Sequence, residues 1–137
     1  MRRSILFGSV TIVLGLLIAL GPQFLFKVCP LEVDDIPHCH WSAQAEIGMG
    51  LLIAALGFCM MVFTDPKTHL GLTIGVFLAG IIALSIPNSL IGGCGSLAMA
   101  CRRIGFPAIT AESIILLVFS AAIAVYGQTK KPSVVNA

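Results

Sequence analysis

The chain has 137 residues, of which 58% are hydrophobic and 10% are charged, and its mean hydropathy is +1.03. An ordinary soluble domain has about a quarter of its residues charged, so this composition argues strongly against a water-soluble globule. The formal net charge is only +2, and nucleic acid is therefore not expected as a partner. A bilayer span needs about 20 apolar residues, so one membrane domain over residues 1–137 with four spans fits the length.

Four long apolar stretches are the predicted spans. The first begins at Ser4, behind Arg2 and Arg3, and we interpret it as a retained span because it is too long for a signal peptide and no small-residue cleavage site follows. Asp65 and Pro66 predict a tight turn, which makes the second and third spans antiparallel neighbours. The spans cover about residues 4–26, 42–64, 69–87 and 108–128, and the two long loops cover residues 27–41 and 88–107.

The basic residues predict the orientation of the spans. If both termini are cytoplasmic, the cytoplasmic side carries more Lys and Arg than the outer side, as the positive-inside rule requires. The same topology puts both cysteine-bearing loops on the oxidising side. We therefore expect an all-α membrane protein, a compact four-transmembrane-helix bundle with two disulfide-stapled extracytoplasmic loops. The inner residues are Arg2, Arg3, Lys67, Lys130 and Lys131, and the outer ones are Lys27, Arg102 and Arg103.

Small residues are frequent within the spans and predict close helix packing. Lipid offers no hydrophobic drive for helices to associate, so contact between small-residue faces has to supply much of the association. The glycines expected at such contacts are Gly48 and Gly50 in the second span and Gly71, Gly75 and Gly80 in the third.

The five cysteines fall into two groups. Cys59 lies inside the second span, and we expect it to be a reduced, small hydrophobic side chain. The other four form an even set with two in each outer loop, which predicts two structural disulfides. Pairing within each loop is slightly favoured, and pairing between the loops stays open. These four residues are Cys29, Cys39, Cys94 and Cys101.

Chemically active side chains are densest at His38-Cys39-His40-Trp41. Trp41 at the water–lipid boundary is typical of an interfacial anchor. The second helix either begins with Ser42 as its cap or begins nearer Pro37. In the second case, one helix face carries Cys39, Ala43, Glu46 and Gly50.

Glu46 and Glu112 lie inside the second and fourth spans. Ionisable residues within membrane helices are candidates for function. The competing interpretation is structural. In it, each carboxylate stabilises a helix N-terminus or pairs with Arg102 or Arg103. The sequence leaves both interpretations open. The predicted outer-face functional cluster comprises His38, His40, Trp41, Glu46, Arg102, Arg103 and Glu112.

A metal site is a weaker hypothesis. His38, His40, Met99 and any reduced cysteines are ligands that suit copper or zinc. Their spacing matches no established ligand pattern, and disulfide formation would remove the thiolates. No cofactor is therefore predicted.

Several segments together resemble a known family. These are Cys39-His40-Trp41-Ser42-x-x-Ala45-Glu46 and Leu90-Ile91-Gly92-x-Cys94. Over nearly its whole length the chain is similar to small bacterial and archaeal membrane proteins classed as a domain of unknown function. The resemblance implies a multi-pass protein of the prokaryotic cytoplasmic membrane, with four spans and paired outer cysteines, that accompanies ABC-transporter components. Arg102 stands where many relatives are expected to have histidine, which weakens a metal site there.

The favoured function is a non-enzymatic membrane subunit. We expect its disulfide-stabilised outer cap and helix faces to dock another membrane protein, for which an ABC-transporter permease is the candidate, or a second copy of the chain. No phosphate loop, dinucleotide fingerprint, zinc-protease helix or serine elbow occurs in the sequence.

Three alternatives remain. Two cysteines in each outer loop of a four-span protein is also the layout of quinone-linked thiol-disulfide oxidoreductases, although neither pair here is Cys-x-x-Cys. The second alternative is extracytoplasmic copper or zinc binding. A channel or small transporter is the third, because a pore can form between protomers.

Overall fold

Four α-helices make up most of the described chain. The computed structural model describes residues 2–21, 24, 38–91 and 101–129, with side chains at 4–21, 24, 41–91 and 103–127. No strand occurs within these ranges, so the predicted all-α class is confirmed. The helices are α1 (Arg2–Leu20), α2 (His38–Val62), α3 (Pro66–Ser85) and α4 (Phe106–Thr129). A π-helical turn, Ile86–Leu90, follows α3, and another, Cys101–Gly105, precedes α4.

Three of the described helices are long and apolar enough to cross a membrane. They are Trp41–Val62, Pro66–Leu90 and Arg103–Gly127, with mean hydropathies of 2.0, 2.2 and 2.2. At 1.5 Å per residue the longer two reach about 37 Å, more than the hydrocarbon core of a bilayer. Ser4–Leu20 is a shorter apolar helix, about 25 Å long. Length and composition therefore indicate a membrane protein.

Helices that follow one another in the chain pack against each other. The most extensive contact joins α1 to α2, followed by α3 with α4 and α2 with α3, while α4 also packs on α1. This order places α2 and α4 diagonally across the molecule. The core between the helices is formed by Ile18, Ile53, Met60, Val76, Ala79 and Leu116.

Glycine permits the close contact between α1 and α2. A Cβ atom added to Gly57 would lie 3.0 Å from the carbonyl oxygen of Gly8, and Gly15 and Gly50 oppose each other in the same way. The two residues on each helix are seven apart, which is about two helical turns, so they fall on one face. The helices therefore run antiparallel with their backbones in contact.

The other predicted glycine contacts are only partly present. Gly80 is tightly packed, because an added Cβ would lie 3.2 Å from Cδ2 of Leu117. The prediction is wrong for Gly48 and Gly71, where an added Cβ would meet nothing within 4 Å. Gly48 is two residues from Gly50 and therefore points to nearly the opposite side of α2.

A short turn joins α2 to α3. Residues 63–65 form it, and Asp65 adopts an extended conformation as the N-cap of α3. Oδ2 of Asp65 accepts hydrogen bonds from the backbone N and from Oγ1 of Thr68, both at 3.2 Å. Pro66 occupies the first helical position, where its missing N–H costs nothing. We call the end of the molecule that holds this turn the turn end.

The π-helical turn Ile86–Leu90 closes the opposite end of α3. Pro87 has no N–H for the regular helical ladder, and the backbone N of Ile91 donates to the carbonyl of Ile86 at 3.0 Å. Nδ2 of Asn88 donates to the carbonyl of Leu84 at 2.8 Å and to Oγ1 of Thr110 at 3.4 Å. The turn also contacts α2. It therefore lies beside the N-terminal parts of both α2 and α4, and we call this end the α2/α4 end.

Candidate functional site

Two glutamates lie well inside the helices at the α2/α4 end. Because α2 begins at His38, near Pro37 and ahead of Ser42, Glu46 is about 12 Å along the helix axis. Glu112 is about 9 Å from the start of α4 at Phe106. Helix-dipole stabilisation is confined to the first turn, so both carboxyl groups are too deep for it.

Glu46 is buried without a partner. It is 0% exposed, and neither carboxyl oxygen has a hydrogen-bond partner among the described residues. Glu112 is half-buried, and its Oε2 is likewise buried without a partner. Both glutamates lie toward the N-terminal ends of their helices, at the α2/α4 end.

The predicted ion pairs are not found in the described part of the chain. Arg103 is exposed, and it makes no hydrogen bond to the oxygens of Glu46 or to Oε2 of Glu112. The side chain of Arg102 lies outside the described residues. No described cationic side chain therefore neutralises Glu46.

Two serines extend this group of unpartnered polar atoms. Ser42 lies one turn before Glu46 on the same face of α2, is 2% exposed, and its Oγ has no hydrogen-bond partner. Ser113 follows Glu112 in α4, is 0% exposed, and its Oγ also has none. We call Ser42, Glu46, Glu112 and Ser113 the buried oxygen cluster.

Buried hydroxyls elsewhere in the described chain are bonded within their own helices. Oγ1 of Thr11 donates to the carbonyl of Phe7 at 2.9 Å, and Oγ1 of Thr73 donates to that of His69 at 2.8 Å. Oγ of Ser120 donates to the carbonyl of Leu117 at 3.0 Å. Such bonding is the ordinary outcome for Ser and Thr within a helix. The buried oxygen cluster is therefore not a general property of this apolar protein.

The predicted site included the two glutamates but not Ser113. A single serine in an apolar helix ordinarily bonds to its own backbone, so nothing in its spacing distinguishes Ser113 from Ser120. The remaining unpartnered buried atom in the described chain outside this cluster is Nε2 of His69, in α3 near the turn end.

Most of the other predicted site residues lie outside the described side chains. Trp41 is described and is 59% exposed near the start of α2. Cys59 is free and half-buried. No group of three His, Cys, Asp or Glu residues converges within the described ranges. The predicted site residues that lie outside the described residues or side chains are Cys29, His38, Cys39, His40, Cys94, Met99, Cys101 and Arg102.

A family profile described as a domain of unknown function, DUF4418, matches residues 11–126. The chain belongs to this family. The match extends from the middle of α1 to near the end of α4 and includes the buried oxygen cluster. It confirms the resemblance to an uncharacterised family. Neither a curated protein nor a solved structure matches the DUF4418 chain.

The DUF4418 chain also has two glycines on α3 that no close helix contact requires. Gly71 and Gly75 are four residues apart, on the same side of the helix. A Cβ added to Gly71 would meet nothing within 4 Å, and one added to Gly75 would lie 3.7 Å from Cδ1 of Leu56, an ordinary contact. We call this surface the α3 outer face; it comprises Gly71, Ile74, Gly75, Leu78 and Ile82, and its Ile and Leu side chains are 47–54% exposed.

Proposed function

We propose that this DUF4418 protein is a non-enzymatic membrane subunit that docks a membrane partner through the α3 outer face. The observation that carries the proposal is the open space at Gly71, one turn from Gly75, where an added Cβ would make only an ordinary contact with Leu56. A glycine within a helix is less favourable than alanine by up to about 1 kcal/mol. At Gly15 and Gly50 the close approach of α1 and α2 explains why the residue is glycine, because a side chain would not fit. Internal packing gives no such reason on the α3 outer face.

Close packing of small residues suits a second transmembrane helix. Two small residues separated by three others form a surface on which another backbone can approach closely in lipid. The flanking Ile74 and Leu78 would then pack around the partner helix. We propose another membrane protein as the partner, and the family resemblance makes an ABC-transporter permease the candidate.

We further propose four membrane spans with both termini in the cytoplasm. In support, α1 packs along α2 from Gly8, opposite Gly57, to Ala19, opposite Gly50, and therefore shares the depth of α2. The Lys and Arg distribution favours a cytoplasmic N-terminus in a prokaryotic cytoplasmic membrane. A reporter fused to the C-terminus should be cytoplasmic, and an external reporter would contradict this topology.

The proposal includes two outer disulfides. Cys39 lies in the first turn of α2, and Cys101 begins the π-helical turn before α4, so both backbone positions belong to the α2/α4 end. This end faces the oxidising side in the proposed topology. Mass spectrometry under non-reducing conditions should find no free thiol at the four loop cysteines. Free thiols at all four would contradict the two proposed disulfides.

Docking can be tested with one leucine substitution and a matched control. Gly71→Leu places a bulky side chain on the α3 outer face, and Gly48→Leu places the same side chain at an equally open position on α2. The protein is purified from its native membrane in mild detergent, and native mass spectrometry identifies what accompanies it. We expect Gly71→Leu to lose most of the partner and Gly48→Leu to keep it.

Two outcomes would contradict the docking proposal. One is a wild-type protein that is always a partner-free monomer, and the other is equal loss of partner in both variants. A complex made only of this chain would replace the heterologous partner with a homo-oligomer. Quinone-linked thiol chemistry and copper or zinc binding stay predictions, because the cysteine and histidine side chains they require lie outside the described residues.

A further inference from the structure

An apolar groove lies between α1 and α4. Its volume is about 350 Å³, and it is lined by Phe7 of α1 and by Phe119, Ala122, Ile123 and Tyr126 of α4. The four residues of α4 follow the spacing of one helix face, so they form a continuous stripe. Ile123 is buried and Ala122 is exposed, so the groove opens outward beside Ala122. We call this space the α1/α4 groove.

The groove exists because α1 and α4 are loosely packed. These two helices share fewer contacts than the helices that are consecutive in the chain. The rings of Phe7 and Phe119 touch, with their centroids 6.2 Å apart. Ala122, one turn further along α4, has only a methyl group and is too short to fill the space beside this aromatic pair.

The groove lies just inside the membrane boundary. Tyr126 is next to Gly127, the last residue of the candidate span Arg103–Gly127, and Phe119 is about 10 Å deeper along the helix axis. The upper part of a phospholipid acyl chain occupies this depth. An apolar space offers water too few polar partners, so a lipid chain is the suitable occupant.

The lining favours a flexible chain over another helix. Membrane helices associate closely at small residues, whereas two aromatic residues of α4, Phe119 and Tyr126, border this groove. Its volume falls at the lower end of the range for small-molecule pockets. A helix is at least about 10 Å across with its side chains, which is too wide for such a space.

Positive charge is concentrated at the same end of the molecule. Arg2 and Arg3 begin α1, and Lys130 and Lys131 directly follow the last residue of α4. The contact between Phe7 and Phe119 places these two helix termini at one end. No acidic residue occurs in residues 1–20 or 113–137 to offset the four charges. Clusters of Lys and Arg at the ends of membrane helices bind anionic lipid headgroups.

We propose that the α1/α4 groove holds one acyl chain of an anionic phospholipid whose headgroup is bound by Arg2, Arg3, Lys130 and Lys131. The apolar lining accommodates the chain, and the basic residues neutralise the phosphate. In the topology proposed above, this lipid belongs to the cytoplasmic leaflet. The inference does not depend on partner docking on the α3 outer face.

A photoactivatable lipid tests both parts of the site. Full-length protein is reconstituted in phosphatidylcholine nanodiscs with a small mole fraction of phosphatidylglycerol that carries a diazirine in one acyl chain. After irradiation, peptide mass spectrometry measures attachment to residues 119–126. We expect saturable attachment there. Phosphatidylcholine with the same diazirine should need a mole fraction at least about tenfold higher for half-saturation, because it lacks net negative charge.

Two leucine substitutions test the groove. Ala122→Leu fills the opening and should reduce attachment to residues 119–126 at least about tenfold. Ala121→Leu is the matched control, because Ala121 is also exposed on α4 but does not line the groove. Attachment in this control should stay at the wild-type level. Thermal unfolding followed by circular dichroism establishes that both variants are folded.

Two double substitutions test the headgroup site and do not alter the groove. Lys130→Gln with Lys131→Gln should raise the half-saturating mole fraction of the phosphatidylglycerol probe about tenfold or more. Arg102→Gln with Arg103→Gln removes the same charge at the opposite end of the molecule and should leave it unchanged.

Three results would overturn the proposal. Equal half-saturation by the two probes would mean that the site does not select an anionic headgroup. Equal attachment in Ala122→Leu and Ala121→Leu would place the acyl chain outside the groove. If the wild type is not labelled at residues 119–126 and native mass spectrometry finds dimers that Ala122→Leu disrupts, a second copy of the chain occupies the groove.

Discussion

Gly15 of α1 and Gly50 of α2 leave no space for a side chain between them. A Cβ atom on Gly50 would lie 2.5 Å from the carbonyl oxygen of Gly15, and one on Gly15 would lie 2.8 Å from the carbonyl oxygen of Gly50. Both obstructing atoms belong to the backbone, so neither can move aside as a side chain would. The register of α1 against α2 therefore depends on these two residues, and Glu46 lies one turn from this contact.

Gly50→Ala should destabilise the protein by about 1–3 kcal/mol, because the added methyl group forces two backbones apart. Gly48→Ala is the matched control, since a Cβ there meets nothing within 4 Å. The control should be neutral or gain up to about 1 kcal/mol from helix propensity. Denaturation followed by circular dichroism in detergent compares the two variants. Equal stability of both would contradict the α1–α2 contact.

The turn between α2 and α3 provides a second test. Asp65→Ala removes the acceptor of both hydrogen bonds from Thr68 and should cost about 1 kcal/mol. Asp65→Asn keeps an oxygen at the same place and should retain most of the stability. The free energy of unfolding measures the difference. A loss as large in Asp65→Asn as in Asp65→Ala would show that the cap oxygen is not what matters.

Sequence patterns predicted the helical class and the turn at Asp65 and Pro66, because apolar length and turn chemistry are local properties. They left two starts open for α2, because Ser42 is a suitable cap and Pro37 suits an earlier start. The observed start at His38 sets the depth of Glu46 and excludes the helix-dipole interpretation.

The inward faces of the helices could not be predicted from the same patterns. A helix that is apolar on all sides shows no periodic contrast between its lipid-facing and protein-facing sides. Gly48 and Gly50 therefore looked alike in the sequence, although only Gly50 is packed. Ser113 was missed for a related reason, because its unpartnered hydroxyl is a property of the packed interior.

Replacement of Glu46 tests whether this side chain is structural. If an ion pair held it, Glu46→Gln would reduce the folding yield, but neither of its oxygens has a described partner. We therefore expect Glu46→Gln to fold with normal yield and with stability within about 1 kcal/mol of the wild type. Glu46→Ala leaves a cavity and should cost about 2 kcal/mol or more. Yield and unfolding in detergent are the measurements, and poor yield of Glu46→Gln would restore the ion-pair interpretation.

The contact between α1 and α4 should depend on one aromatic pair. The rings of Phe7 and Phe119 meet edge to face, with centroids 6.2 Å apart and planes at 68°. They border an apolar groove of about 350 Å³ that is also lined by Ala122, Ile123 and Tyr126. Because α1 and α4 share few other contacts, Phe119→Leu should weaken this interface by about 0.5–1.5 kcal/mol beyond the lost burial.

Phe58→Leu is the control, since Phe58 is 61% exposed on α2 and should tolerate the change. Hydrogen exchange of α1 should rise only in Phe119→Leu, and an equal rise in both variants would mean that the aromatic pair does not hold α1 against α4.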